Sequence, residues 1–167
     1  MGCLGVHFGL TEEQLTALRS QTDESARLAY LQEELEVHFF ESEPNFKAES
    51  DKSWDALHRS LADGQLTYTS GPEPLRYVVL GGEPLFTGEE YIMSLKTRQQ
   101  VKAVAEALPN VTPEVLRLGY DRISEEDYGL ELSDEDFEYT WQWFVGIREF
   151  WLRADNAGRY VLFTADQ

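Results

Sequence analysis

The chain has 167 residues, 42% of them apolar and 13% aromatic, enough to bury a core without disulfides or metal staples. Thirty-one acidic against 14 basic residues give a formal charge of −17, which excludes nucleic acid as a ligand, because phosphate contacts need Lys and Arg. No apolar run approaches the roughly 18–20 residues of a membrane span, and no secretory signal opens the chain. The opening "MGC" invites a reading of dual acylation at Gly2 and Cys3, but Val6 stands where the myristoylation pattern wants Ser or Thr. Cys3 is the single cysteine, so neither an intrachain disulfide nor a Cys-based zinc site is available. The expectation is a cytoplasmic protein without cofactor or metal.

Residues 3–9 alternate loosely and are read as a strand. Thr11 with Gln14 forms a capping box, and Leu10 with Leu15 the matching hydrophobic staple, of a short helix ending near Ser20. Asp23 caps a second helix with Ala26, Leu28, Ala29, Leu31 and Leu35 as its apolar stripe. Pro44 and Asn45 mark a loop. Ser50 or Asp51 is then expected to open a helix carrying Trp54, Leu57, His58 and Leu61 at helical spacing, closed by Asp63-Gly64. From Thr67 to Gly88 the prolines and glycines predict irregular backbone around the apolar run "RYVVL". "EYIMSL" reads as a strand, Thr97 with Gln100 as a second capping box, and Thr112-Pro113 as a further helix start.

Ser133 caps the longest helix, whose first turn holds Asp134, Glu135 and Asp136 at the positive end of the helix dipole. Phe137, Trp141, Phe144, Trp151 and Ala154 make one face, widened by Trp143, Ile147 and Phe150, and Gly158 ends it. "RYVLFT" is a final strand, expected to neighbour the first. The pattern predicts an α+β (mixed α/β) fold: one compact domain over residues 1–167, a small sheet packed by several helices, with a long aromatic C-terminal helix.

Phosphate loops, dinucleotide fingerprints, nucleophile elbows and paired zinc-binding histidines are all missing from the sequence. Two stretches do carry a resemblance: "DKSWDALH" at 51–58 and "VLGGEPL" at 79–85, with the opening "MGCLGVHFGLTEEQL" and the closing "AGRYVLF". Together they resemble the YfbM-like family of small bacterial proteins along essentially the whole chain. The resemblance implies a compact mixed α and β domain and transfers no catalytic residue.

Two functional expectations follow. On a helix, Asp51, Asp55 and His58 share a side with Trp54 beside them, and Gly81, Gly82 and Glu83 supply a loop to close over them. That set is either a ligand site, with His58 as base, or the packed face of an ordinary helix whose His58 bonds a backbone carbonyl near the glycine turn. Residues 121–138 hold nine acids and one Arg. Glu125, Glu126, Asp127, Asp134, Glu135 and Asp136 form either a solvated loop and helix start or an electrostatic docking patch. The favoured expectation is a non-enzymatic protein-binding domain, of immunity or inhibitor kind, recognising a cationic toxin or enzyme. The alternative is a small hydrolase or ligand-binding domain using Asp51, Asp55 and His58.

Overall fold

A computed structural model describes residues 3–167, so Gly2, one of the two acylation positions considered, lies outside the described residues. Five antiparallel strands form one sheet in the order β2-β1-β5-β4-β3. The terminal strands β1 (Gly5–Leu10) and β5 (Tyr160–Asp166) are neighbours at its centre, with His7 opposite Phe163. Because side chains alternate along a strand, Phe8 and Leu10 face one helical layer while His7 faces the other.

The first layer is α1 (Glu12–Arg19), α2 (Glu24–Tyr30) and α3 (Glu36–Glu41). The capping box of α1 is formed in both directions: Gln14 N–H donates to the Thr11 hydroxyl at 3.2 Å, and Thr11 N–H to the Gln14 amide oxygen at 2.9 Å. A π turn at Leu31–Leu35, which the periodicity does not announce, joins α2 to α3. Its extra residue resets the phase of the stripe, so Leu31, Leu35 and Phe39 are buried while no residue of α2 is.

The second layer holds α4 (Trp54–Leu61), α5 (Arg98–Ala107), α6 (Pro113–Tyr120) and the 23-residue α8 (Asp134–Asn156), with the short α7 (Glu125–Tyr128) before it. Phe144, Ile147, Phe150, Trp151 and Ala154 of α8 are fully buried against Trp54, Leu57 and Phe163. Trp141 and Trp143 are only half-buried, so the apolar stripe is narrower than its aromatic content implies. Past α8, Gly158 takes a left-handed conformation (φ +66°) and turns the chain into β5.

The second layer departs from expectation at one junction. Residues expected to start α4 instead form the edge strand β2 (Lys47–Asp51), and the helix opens three residues later with Ser53 as its cap residue. Asp51 sits at φ +49°, a left-handed turn that Asp tolerates better than most residues and that separates strand from helix. Residues 62–90, between α4 and β4 (Tyr91–Lys96), are irregular apart from a short turn and the two-residue β3 (Glu83–Pro84). Yet Val78, Val79 and Leu80 of this segment are buried in the second layer's core. Among the described residues, no helix is long and apolar enough to cross a membrane.

Candidate functional site

The residues of the "DKSWDALH" stretch take separate positions. The Asp51 carboxylate, at the end of β2, accepts from the Tyr139 hydroxyl of α8 at 2.8 Å, and Lys52 N–H donates to the same hydroxyl at 3.2 Å. Trp54 is buried on Phe163, and its indole N–H donates to the Cys3 carbonyl at 2.7 Å. Asp55 is half-buried and accepts from Arg59 Nε at 2.5 Å. Burial pushes its carboxyl above the usual range, with the Asp136 charge adding to that, despite the opposing Arg59 guanidinium.

His58 is turned away from both aspartates and into the core. Its Nδ1 accepts the Leu80 N–H at 3.3 Å, which makes Nε2 the protonated nitrogen, and that N–H donates to the Thr67 carbonyl at 3.1 Å. Burial, then the nearby Lys96, lowers its pKa to about 4. Gly81 and Gly82 are required by close approach: a Cβ at Gly81 would lie 2.3 Å from the Arg76 carbonyl oxygen, and one at Gly82 (φ +143°) would lie 2.4 Å from that of Leu95. Glu83 is exposed and pairs with Arg19 at 3.1 Å.

Two adjoining cavities draw these stretches together. One, about 250 Å³, is lined by Cys3, Lys52, Trp54, Asp55, Tyr128 and Leu130. The other, about 390 Å³, is lined by Tyr68, Leu80, Pro84, Phe86, Tyr91 and Ile92, and both share Leu66 and Gln167. Trp54 and Asp55 from the first stretch therefore meet Leu80 and Pro84 from the second along one apolar, aromatic-walled depression. Asp51, His58, Gly81, Gly82 and Glu83 line neither cavity.

Of the acidic residues, Glu125, Glu126, Asp127, Asp134 and Glu135 are exposed. Asp136 instead turns inward and accepts from the Tyr120 and Tyr128 hydroxyls at 2.7 and 3.1 Å. Burial, with that carboxylate beside it, drives the Tyr120 hydroxyl up to about 12. Arg59 Nη2 donates to the Asp127 carbonyl at 3.2 Å, so α4 holds the acidic segment by its main chain. Asp134 pairs with Arg117 at 2.9 Å. Among the described residues, no group of three or more His, Cys, Asp or Glu side chains is placed to hold a metal ion.

The sequence reading passes over a second set of buried polar groups. Lys96 is fully buried; its Nζ donates to the Val79 carbonyl, and to the Ser94 carbonyl and hydroxyl at 3.2 and 3.0 Å. His7, also fully buried, donates from Nε2 to the Val78 carbonyl at 2.7 Å, and burial together with Lys96 lowers its pKa to about 3. A signal was available: strand alternation puts Ser94 and Lys96 on the same face as the buried Ile92.

His58→Ala should lower stability by about 1–3 kcal/mol, since the Thr67 carbonyl and Leu80 N–H lose their partner in the interior. His58→Gln should recover part of that, because its amide N–H replaces the bond to Thr67. Urea titration of both variants checks this; an unchanged His58→Ala midpoint would rule out the buried bonding.

A model of the family described as Domain of unknown function (DUF1877) matches residues 1–164. Nothing among the curated proteins matches the chain. Among solved structures, the crystal structure of a protein of unknown function, YfbM from Escherichia coli, is similar at a TM-score of 0.61 and 18% identity, covering 97% of this chain and 99% of that one. At that identity the likeness extends to the fold.

Proposed function

The chain belongs to the family described as Domain of unknown function (DUF1877), and from its own geometry we propose a non-enzymatic binding domain, of immunity or inhibitor kind, that recognises a basic partner protein. The observation that carries this reading is the acidic segment. Its main chain is tied down through Arg59 on the Asp127 carbonyl, Tyr120 on the Ser133 N–H and the Glu125 carboxylate on the Leu132 N–H, while the carboxylates of Glu126 and Asp127 stand in solvent and Glu125 is itself exposed. A held array of like charge steers a cationic surface and fixes its orientation, with less ordering to be done on contact than a floppy acidic tail requires. Two of the three histidines support the same reading, since His7 and His58, like Lys96, are buried on main-chain groups, while the exposed His38 pairs with Glu43.

The second reading, a small-ligand site, rests on the adjoining cavities lined by Trp54, Asp55 and Leu80. Affinity capture with the whole chain separates the two. The expected partner is basic, and its association slows as salt rises from about 0.05 to 0.5 M, because exposed charges are screened over roughly 10 Å or less. Replacing Glu125, Glu126 and Asp127 by their amides should weaken capture. A partner that is itself acidic and binds independently of salt would sink the reading.

A further inference from the structure

Three buried bases converge on one irregular stretch of backbone. His7 on β1 bonds the Val78 carbonyl, Lys96 on β4 the Val79 carbonyl, and His58 on α4 both the Leu80 N–H and the Thr67 carbonyl. Ser94 completes the set by donating to the Leu80 carbonyl at 2.7 Å. A segment with no regular ladder must find other partners for its buried main-chain groups. Here the scaffold provides them from side chains, three of which bind protons.

The surroundings offer those protons little compensation. His7 faces Lys96 from β4, the uncharged Phe150 and Trp151 from α8, and Phe163 from β5. His58 faces Lys96, Arg59 on its own helix and Asp63 just beyond it, the one acid among its charged neighbours. Lys96 lies 5.6 Å from the centre of the Phe163 ring, and among the described residues its ammonium bonds no carboxylate. A proton on His58 Nδ1 turns the acceptor of Leu80 N–H into a second donor facing it. A proton on His7 adds a buried cation beside Lys96.

We propose that residues 65–82 form an acid-released strap: protonation of His58 and His7 lets it detach from the side chains of β1, β4 and α4 that hold it, opening the apolar surface beneath Val78–Leu80 while β5 and α8 stay folded. Both imidazoles have folded pKa values, about 4 and about 3, below their ordinary 6.5. The released strap therefore binds protons that the docked strap refuses. The histidines' contribution to docking is complete only above about pH 6.5 and is lost as pH falls below it, until the folded values are reached; burial also holds Lys96 below the usual lysine range, so its contribution lies at higher pH. Each histidine shifts the opening equilibrium up to about tenfold per pH unit well below 6.5, so both together give on the order of two hundredfold between pH 6.5 and 5.

Hydrogen exchange followed by mass spectrometry from pH 7.5 to 4.5, normalised for the intrinsic pH dependence of exchange, tests this on the whole chain. Peptides from 65–82 should lose protection selectively over that window, with β5 and α8 still protected. His7→Gln keeps a donor to the Val78 carbonyl without a titrating ring, and His58→Asn keeps an acceptor at the Nδ1 position. The double variant should flatten the pH dependence of the strap. Uniform loss of protection across strap and α8, a strap that exchanges independently of pH in the wild type, or an undiminished slope in the double variant would each overturn the proposal. Should the variants fail to fold, the wild-type profile alone decides.

Discussion

Trp151→Ala is expected to remove on the order of 3–5 kcal/mol, a large share of the roughly 5–15 kcal/mol that holds a typical domain together. Trp151 is fully buried in the C-terminal part of α8, with Phe150 and His7 rings at 6.2 and 6.0 Å between centroids. Among the described residues its indole N–H bonds no protein acceptor, so the loss comes from packing and from the cavity left behind, with no hydrogen-bond component. Neighbours on a rigid sheet and a long helix cannot collapse into that space. Trp141→Ala, half-exposed against Phe144 and Arg148, should cost less, about 1–2 kcal/mol, because part of its surface is already wet. Thermal melts should place Trp151→Ala about 10 °C below wild type. A Trp151→Ala melt within a few degrees of wild type would make α8 a surface helix rather than the core.

Gly119→Ala should be comparably damaging for a different reason. A Cβ there would lie 1.8 Å from the Ser60 carbonyl oxygen and 2.8 Å from its carbonyl carbon. These are backbone atoms of α4, so no rotamer relieves the clash and the helices must separate. That separation exposes Leu57 and Leu61 on one side and Leu116 and Tyr120 on the other, for a loss of more than about 3 kcal/mol. The Tyr120 hydroxyl also holds Ser133 and Asp136, so the acidic segment should loosen with it. Gly146→Ala on α8 is the matching control. Its Cβ meets open space, and removing a glycine from a helix interior should stabilise by about 0.5–1 kcal/mol. Urea midpoints moving in opposite directions support this pairing, and a wild-type midpoint for Gly119→Ala would refute the close approach.

Local chemistry made much of the fold legible. Thr11 with Gln14, Thr97 with Gln100, Thr112-Pro113 and Ser133 mark helix starts because each satisfies orphan N–H groups within four residues, a short-range fact that sequence records directly. β2 was illegible because "KAESD" has neither β-branched nor large apolar residues. It is a strand because β1 offers a free edge and α8 packs over Ala48 and Ser50. Asp51 is illegible as a turn for the same reason, since its left-handed conformation is imposed by the strand before it. In the candidate site, Trp54 and Asp55 lie in the depression; grouping Asp51 with them assumes one uninterrupted helix, whereas His58 shares α4 with them but turns its ring into the core. The lysine at the centre of the polar core is hidden because Lys carries a strong prior for the surface; two of its acceptors come from Ser94 on its own strand, but only the tertiary fold supplies the Val79 carbonyl and the burial.

The central place of β5 has a consequence for how the chain is made. Residues 160–166 are synthesised after all the other strands, yet they pair with β1 on one side and β4 on the other. Until they are available, β1 and β4 present unpaired edges, and Phe8 and Met93 lack the Leu162 that completes their core. The helices need only local contacts and are free to form early, whereas the sheet waits for a pairing between residues about 155 positions apart. Nascent chains stalled before β5 should therefore engage chaperones and proteases that completed chains escape, and folding should be dominated by the late arrival of a single strand.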